Sequence, residues 1–459
     1  MQTVVHLPPE PIVPAAPARR RWIDDWRPED PVFWESVGRP IARRNLAFSI
    51  LSEHIGFCIW SMWSVFVLFL GPDYGFDPGQ KFLLTTLPTL VGAILRIPYT
   101  LAVAKFGGRN WTIASAALLL IPAVLTAIVL KPGVAFGTLL AVAAVAGVGG
   151  GNFSSSMSNI DAFYPQRLKG WALGLNAGGG NIGVAAVQLV GLLVLATAGA
   201  THPRIIVAVY IPLIVVATAC AARFMDNLTH ATNEKRAMRD VARDSHTWVI
   251  SFLYVGTFGS FIGFAFAFGQ VLQIQFGDTF NTPMRVVGLT FLGPLLGSLF
   301  RPIGGKLADR LGGARVTAIT FLTMAVGATV VLVASVVESL PLFVLGFISL
   351  FVLTGIGNGS VYKMIPAIFR AKADRAVAAG GDPDGASRLA RRHSRALIGI
   401  AGSVGALGGV AVNLVLRQSF LSNGDGNAAY AAFIGFFLVC LVVTLVVYVR
   451  PSARTLEGV

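Results

Sequence analysis

Two arginines stand inside stretches that otherwise read as membrane-spanning hydrocarbon: Arg96 in VGAILRIPYTLAV and Arg301 in GSLFRPIGG. A guanidinium near mid-bilayer costs about 2.5–3.5 kcal/mol on insertion scales, so an arginine is seldom there without a role. One role is an ion pair with a carboxylate. The only clear intramembrane acid is Glu53, however, and one acid cannot neutralise two arginines and Lys363. The other role is recognition of an anion. Two guanidiniums facing a central cavity make a receptor for a small anion, each fork donating up to two parallel hydrogen bonds. Lysine would keep the charge and lose the fork. Without an anion, two cations would face each other where repulsion is poorly screened, so exchange is expected to outpace net flux.

A second group of residues has proton chemistry. SEHIGFCIWSMW puts Glu53 and His54 in the first apolar stretch, and Lys363 stands in GIGNGSVYKMIPAIF. A carboxyl group in a dry site keeps its proton to higher pH, as a carrier working near neutrality needs. The alternative is that Glu53 is structural glue, paired with Lys363 or an arginine, or lies nearer the interface. Cys58, Cys220 and Cys440 fall in apolar runs with no CxxC spacing and no clustered histidines, so no disulfide, metal site or cofactor is expected. No G-x-x-x-x-G-K-[ST] is present, which argues against ATP as the energy source.

These residues must be positioned by elements, and the sequence marks the elements by small residues. In GVGGGNFSSSMSNIDAF, Gly147, Gly151, Ser155 and Asn159 recur every four residues, and Gly170, Gly174 and Gly178 do so in the next apolar run. Such stripes permit close backbone approach between membrane helices, and packing alone accounts for most of them. Gly355 and Gly359 repeat the spacing in the second half. Asn152, Ser154, Asn159 and Asn176 must face protein or water, because an unpaired amide or hydroxyl in hydrocarbon costs roughly 1–3 kcal/mol or more.

The chain of 459 residues is 54% hydrophobic and 13% charged, with mean hydropathy +0.70. A soluble protein would need about twice the charge to cover its surface. Apolar runs near the roughly 20 residues that cross a bilayer recur along it, and they do not alternate as barrel strands do. Twelve candidate helices lie near 45–70, 82–104, 111–130, 135–160, 170–197, 204–224, 247–274, 286–307, 314–336, 340–368, 395–416 and 428–449. The net charge of +14 sorts into alternate loops, a pattern of membrane topology and not of nucleic-acid binding. By the positive-inside rule both termini are cytoplasmic, with 1–44 and 451–459 as tails and 370–395 as a charged surface segment.

The two halves overlay at an offset of a little over 200 residues. LRIPYTLAVAKFGGRNW (95–111) answers FRPIGGKLADRLGGARV (300–316), and GVGGGNF answers GIGNGSV. GGRN and GGAR within the first pair read as turns between adjacent helices. The charged linker 225–246 then separates bundles 45–224 and 247–450. An all-α polytopic protein with two pseudo-symmetric six-helix bundles and inside termini resembles the major facilitator transporters.

A narrower resemblance follows from GVGGGNFSSSMSNI with GWALGLNAGGGNIGVAAVQL, and from GIGNGSVYKMIPAIF. These resemble the first and second nitrate signatures of the nitrate/nitrite porter family, and the likeness runs through residues 27 to 450. It implies a nitrate site between the bundles: Arg96 and Arg301 match the family's substrate arginines, Phe153 and Phe258 its aromatic pair around the planar anion, and Asn176 and Tyr254 its polar positions. Considered apart from the family, Phe153 and Phe258 read as core packing. Aromatic faces also carry negative potential and should repel an anion, so exclusion of water and selection by shape are their expected contributions.

The resemblance implies import of nitrate by exchange for nitrite, by proton symport, or both. Exchange avoids the cost of about 2.3 kcal/mol per charge per 100 mV and needs no titratable group, whereas symport needs one on the route. The SEHIGF segment looks like the subgroup thought to couple nitrate to protons. A bacterial cytoplasmic membrane is the expected location and a monomer the expected working unit, with nitrate, nitrite and, under symport, protons as partners and lipid as solvent. An anion channel lined by the same arginines and a porter for another oxyanion are the alternatives. A redox enzyme is disfavoured because only His54 of six histidines is intramembrane.

Overall fold

The computed structural model describes residues 21–229 and 235–450. Of the expected tails, 1–44 and 451–459, residues 1–20 and 451–459 lie outside the described residues. Among the described residues, twelve helices are long and apolar enough to cross a membrane. The first six are α1 (Pro31–Phe69), α2 (Pro78–Phe106), α3 (Gly108–Val129), α4 (Phe136–Phe163), α5 (Gln166–Ala198) and α6 (Arg204–Phe224). A short helix, α7 (Lys235–Ala242), follows them. The second six are α8 (Ser245–Gln275), α9 (Pro283–Leu311), α10 (Gly313–Val336), α11 (Leu340–Ala378), α12 (Pro383–Asn423) and α13 (Asn427–Val449). Large apolar side chains such as Leu193, Val216, Ile319, Val326 and Leu345 remain exposed on the outer surface, where lipid is the natural solvent.

Local chemistry sets the helix ends. Asp77 accepts from the Gln80 N–H while Gln80 reaches back to the Asp77 N–H, and Pro78 sits at the first helical position of α2. Asp30 caps α1 ahead of Pro31, and Asp382 caps α12 ahead of Pro383. α2 and α9 end in the same way. Gly107 and Gly312 stop them at φ +87° and +88°, and the next helix starts at once. The two expected turns are thus equivalent in backbone angle, as the repeat requires. We call their side of the molecule the basic face.

Three boundaries differ most from the sequence expectation. α1 begins at Pro31 instead of residue 45, and α11 and α12 run on to Ala378 and back to Pro383. Residues 370–395 therefore form most of a helical hairpin turned at Gly380 (φ +93°), because alanine and arginine there favour helix despite their polarity. Ahead of α1, β1 (Trp22–Ile23) pairs in parallel with β2 (Asn227–Leu228) of the linker. Asp226, buried beside β2, binds Arg44 and Asn45 at 2.5 and 3.1 Å and Arg21 at 3.4 Å. The segment from 21 to 44 is therefore fastened to the first bundle. Between bundles, α2 packs along α12 and α5 along α9.

Candidate functional site

Arg96 on α2 and Arg301 on α9 point inward from opposite bundles and are 0% and 5% exposed. Both guanidinium carbons stand over one ring, that of Phe153 on α4, at 4.6 and 5.9 Å from its centroid. Glycines allow this convergence. A Cβ on Gly150 would come within 2.8 Å of the Gly92 Cα, so α4 and α2 touch through backbone, and Arg96 Nε donates to the Gly150 carbonyl at 3.2 Å. In the second bundle a Cβ on Gly355 would meet the Gly297 carbonyl oxygen at 2.1 Å, and one on Gly359 the Arg301 carbonyl oxygen at 2.2 Å. α9 and α11 are therefore pressed together at the turn that carries Arg301.

Phe258 comes from a π-helical turn, Val255–Gly259, inside α8. The wider turn re-aims side chains locally, a device often found at working sites. Its ring faces that of Phe153 at 6.0 Å and 25°, and the Arg96 guanidinium lies 4.8 Å from its centroid. Trp60 adds a third ring, 5.4 Å from Arg96. The repulsion expected between ring faces and an anion is thereby reversed in sense: the negative faces are turned to the guanidiniums, which they stabilise.

Each guanidinium is partly engaged. Arg96 Nη1 donates to the Gly402 carbonyl of α12 at 2.7 Å, and Arg301 Nη2 to the Tyr254 hydroxyl at 3.3 Å. Arg96 Nη2 and Arg301 Nη1 are buried without a hydrogen-bond partner. Neither side chain joins an ion pair among the described residues. Two unpaired N–H groups on buried cations, with no carboxylate against them, suit the oxygens of a small anion.

Glu53 and Asn176 form a neighbouring cluster. Glu53 is fully buried on α1; one oxygen accepts from Asn176 Nδ2 at 2.6 Å and the other has no partner. Asn176 Nδ2 also lies 2.6 Å from Ser156 Oγ, which is 2.9 Å from Ser49 Oγ. Asn176, expected among the anion contacts, is therefore bound to Glu53 and not to an arginine. Glu53 lies within electrostatic reach of both Arg301 and Arg96. His54 Nδ1 donates to the Gly179 carbonyl at 3.0 Å, on the side of α1 that meets α5. Lys363 stands apart: its side chain is 45% exposed and pairs with Asp309, so it neither meets Glu53 nor enters the dry core. A flexible ammonium reaches water more readily than it pairs in the core.

The expected glycine stripes divide. Gly147 and Gly151 abut Val91 and Tyr99, where a Cβ would come within 2.5 and 2.7 Å. A methyl group placed on Gly170, Gly174 or Gly178 would have nothing within 4 Å, so these three form no seam. The α5 seam is instead Gly179, Gly180 and Gly183, whose Cβ positions lie 2.5, 2.2 and 2.4 Å from Ile50, Glu53 and His54. Sequence spacing supported both stripes equally, and only the rotation of α5 against α1 separates them. Two further residues at the site escaped the sequence reading, Tyr362 and Gly402. Away from the site, near the end of α4, Asp161 escaped it too: this buried acid pairs with Lys169 at 2.9 Å and with Arg395 of α12 at 2.8 Å.

The chain matches the family model described as Major Facilitator Superfamily over residues 51–381. It is 38% identical over 456 residues to the nitrate/nitrite transporter NarU of Salmonella typhimurium, covering 95% of this chain and 98% of that one. It is 34% identical over 377 residues to the probable nitrate/nitrite antiporter NarK2 of Thermus thermophilus, covering 77% and 84%. Among solved structures, the D-xylose-proton symporter superposes with TM-score 0.64 at 14% identity, over 88% of this chain and 97% of that one, which speaks for the fold alone.

Proposed function

Because the chain belongs to the major facilitator superfamily and, within it, to the nitrate/nitrite porter family, we infer that Arg96 and Arg301 hold nitrate or nitrite between the bundles while the protein alternates its access across a bacterial cytoplasmic membrane. The observation that carries the reading is the pair of buried guanidiniums over the Phe153 ring, each with one nitrogen unpaired. Binding requires only that an anion's oxygens accept from those nitrogens. The stacked rings exclude water, and in the resulting low dielectric each charge-assisted bond gains strength. Tyr254 steadies Arg301 by accepting from it, and Phe153 and Phe258 steady Arg96. Import would supply nitrate respiration or assimilation, and both termini would face the cytoplasm.

Exchange of nitrate for nitrite is the simpler mode, since equal charges cross in opposite directions. Proton symport is supported by one separate feature, the unpaired Glu53 oxygen within electrostatic reach of the arginines. Tracer nitrate uptake into proteoliposomes tests both. Nitrite preloading should accelerate uptake, since a carrier shows trans-stimulation and a channel does not. Arg96→Lys and Arg301→Lys should each lower uptake by at least about tenfold while the protein still inserts, because the charge stays and the fork goes. Wild-type rates in either variant would overturn the assignment.

A further inference from the structure

The site has one side that the arginines and phenylalanines do not supply. Gly402 on α12 leaves a space bounded on three sides. A Cβ at that position would stand 3.6 Å from Arg96 Nη1, 3.6 Å from Phe153 Cε1 and 3.6 Å from the Tyr362 hydroxyl oxygen. Tyr362 comes from α11, one residue before the exposed Lys363. Its ring lies 4.8 Å from that of Tyr254, tilted by 45°, and the Arg301 guanidinium stands 5.0 Å over its face. Its hydroxyl is shielded from solvent, has the Tyr254 hydroxyl as a polar neighbour and makes no hydrogen bond of good geometry to it, so its own proton is free to donate.

Three unpaired donors lie around this space: the Tyr362 hydroxyl, Arg96 Nη2 on the guanidinium whose Nη1 borders it, and Arg301 Nη1 on the guanidinium that stands over the Tyr362 ring. The number bears on which anion fits. A planar XO₃ anion offers three oxygens at the corners of a triangle, whereas a bent XO₂ anion offers two. Two guanidinium donors serve two oxygens of either ion. Only the three-oxygen anion makes full use of a third donor, and a buried polar group left without its partner penalises the anion that lacks the matching atom.

We propose that the Tyr362 hydroxyl is the third donor to the bound anion, and that it sets the preference for nitrate over nitrite, with Gly402 keeping open the space in which the third oxygen sits. This rests on the reading that nitrate and nitrite bind between Arg96 and Arg301. A phenol suits the task because it adds a donor without a third positive charge. A bent anion would leave the hydroxyl bare or turn it towards Tyr254.

The test is Tyr362→Phe in reconstituted proteoliposomes, with KM for nitrate and for nitrite both measured by counterflow. The nitrate KM should rise about tenfold and the nitrite KM should stay within about twofold, so the preference for nitrate falls by a factor of about five or more. Equal changes for both anions would mean that the hydroxyl merely braces Tyr254, and no change would mean that it faces no ligand; either result overturns the proposal. Gly402→Ala gives a second measurement, since its methyl enters with no contact shorter than 3.6 Å. It too should weaken nitrate more than nitrite, and an unchanged ratio would count against the proposal. A wild-type protein that moved neither anion would defeat the underlying assignment instead, an outcome visible before any variant is made.

Discussion

Glu53 is held by neutral groups, the Asn176 amide and the neighbouring Ser156 hydroxyl, and by crowding, not by an ion pair. Asn176 donates to one of its oxygens, and the other faces Gly180, where a side chain would collide with it. A carboxyl group so placed has a use for a proton, since the unpaired oxygen becomes a donor once protonated. Glu53→Gln keeps the shape and the Asn176 contact and removes the titration. The expected outcome in proteoliposomes is loss of uptake driven by a pH gradient, with nitrate-for-nitrite exchange retained to within about threefold, under 1 kcal/mol of barrier. Uptake that still followed the pH gradient would remove Glu53 from the mechanism. At this scale the sequence announced what was costly. Arg96, Arg301 and Glu53 stood out because charge in hydrocarbon demands an explanation. Tyr362 and Gly402 carried no such mark, because a tyrosine and a glycine in an apolar helix are ordinary until their neighbours are known. Lys363 misled for a related reason: its spacing put it inside a helix, and spacing does not show which way a long side chain reaches.

Helix pairs meet here by backbone, and that makes particular positions intolerant. Gly359 lies against the Arg301 carbonyl and the Gly305 amide, 2.2 and 2.6 Å from its would-be Cβ. Gly359→Val has no flexible neighbour to displace, so α11 must move away from α9 and carry Arg301 with it. The variant is expected to lose thermal stability by several degrees in detergent and to transport at less than about a tenth of the wild-type rate. Gly359→Ala should fall between the two, and a valine variant of full stability would argue against the tight seam. Most elements were visible beforehand, since apolar length and loop charge gave twelve spans and the offset repeat gave two bundles. The π turn at Val255–Gly259 was not, because one extra residue per turn leaves an apolar pattern looking the same. The α5 seam was misassigned for the same physical reason: GGG at 178–180 offers several stripes, and neighbouring helices select one.

The two bundles are joined at both ends. Away from the basic face, Arg417 Nε donates to the Gly79 carbonyl at 3.1 Å and Gln270 Nε2 to the Lys81 carbonyl at 3.1 Å. Towards the basic face, the Asp161 carboxylate links α4 to Arg395 of α12 and to Lys169. Asp161→Asn would leave two cations side by side without their anion, and the cost falls on the closed arrangement of that end. A cysteine introduced at Gly399, on α12 opposite Thr100, should then be labelled several-fold faster by a membrane-impermeant thiol reagent applied from the basic face. Labelling at the parent rate would show that Asp161 does not hold that end shut. Nothing in the linear pattern paired residue 161 with residue 395, because a contact between bundles lies across the whole length of the linker.

The bond from Arg96 to the Gly402 carbonyl crosses the same divide, so one side chain serves as both hand and clasp. In the proposed cycle, parting of α2 and α12 would release that N–H to cargo, and their meeting would return it to the main chain of the opposite bundle. Shutting would then surround the anion with rings while withdrawing one of its donors. The grip would not grow with each step of enclosure, and a carrier that must let go on the far side gains from such a brake.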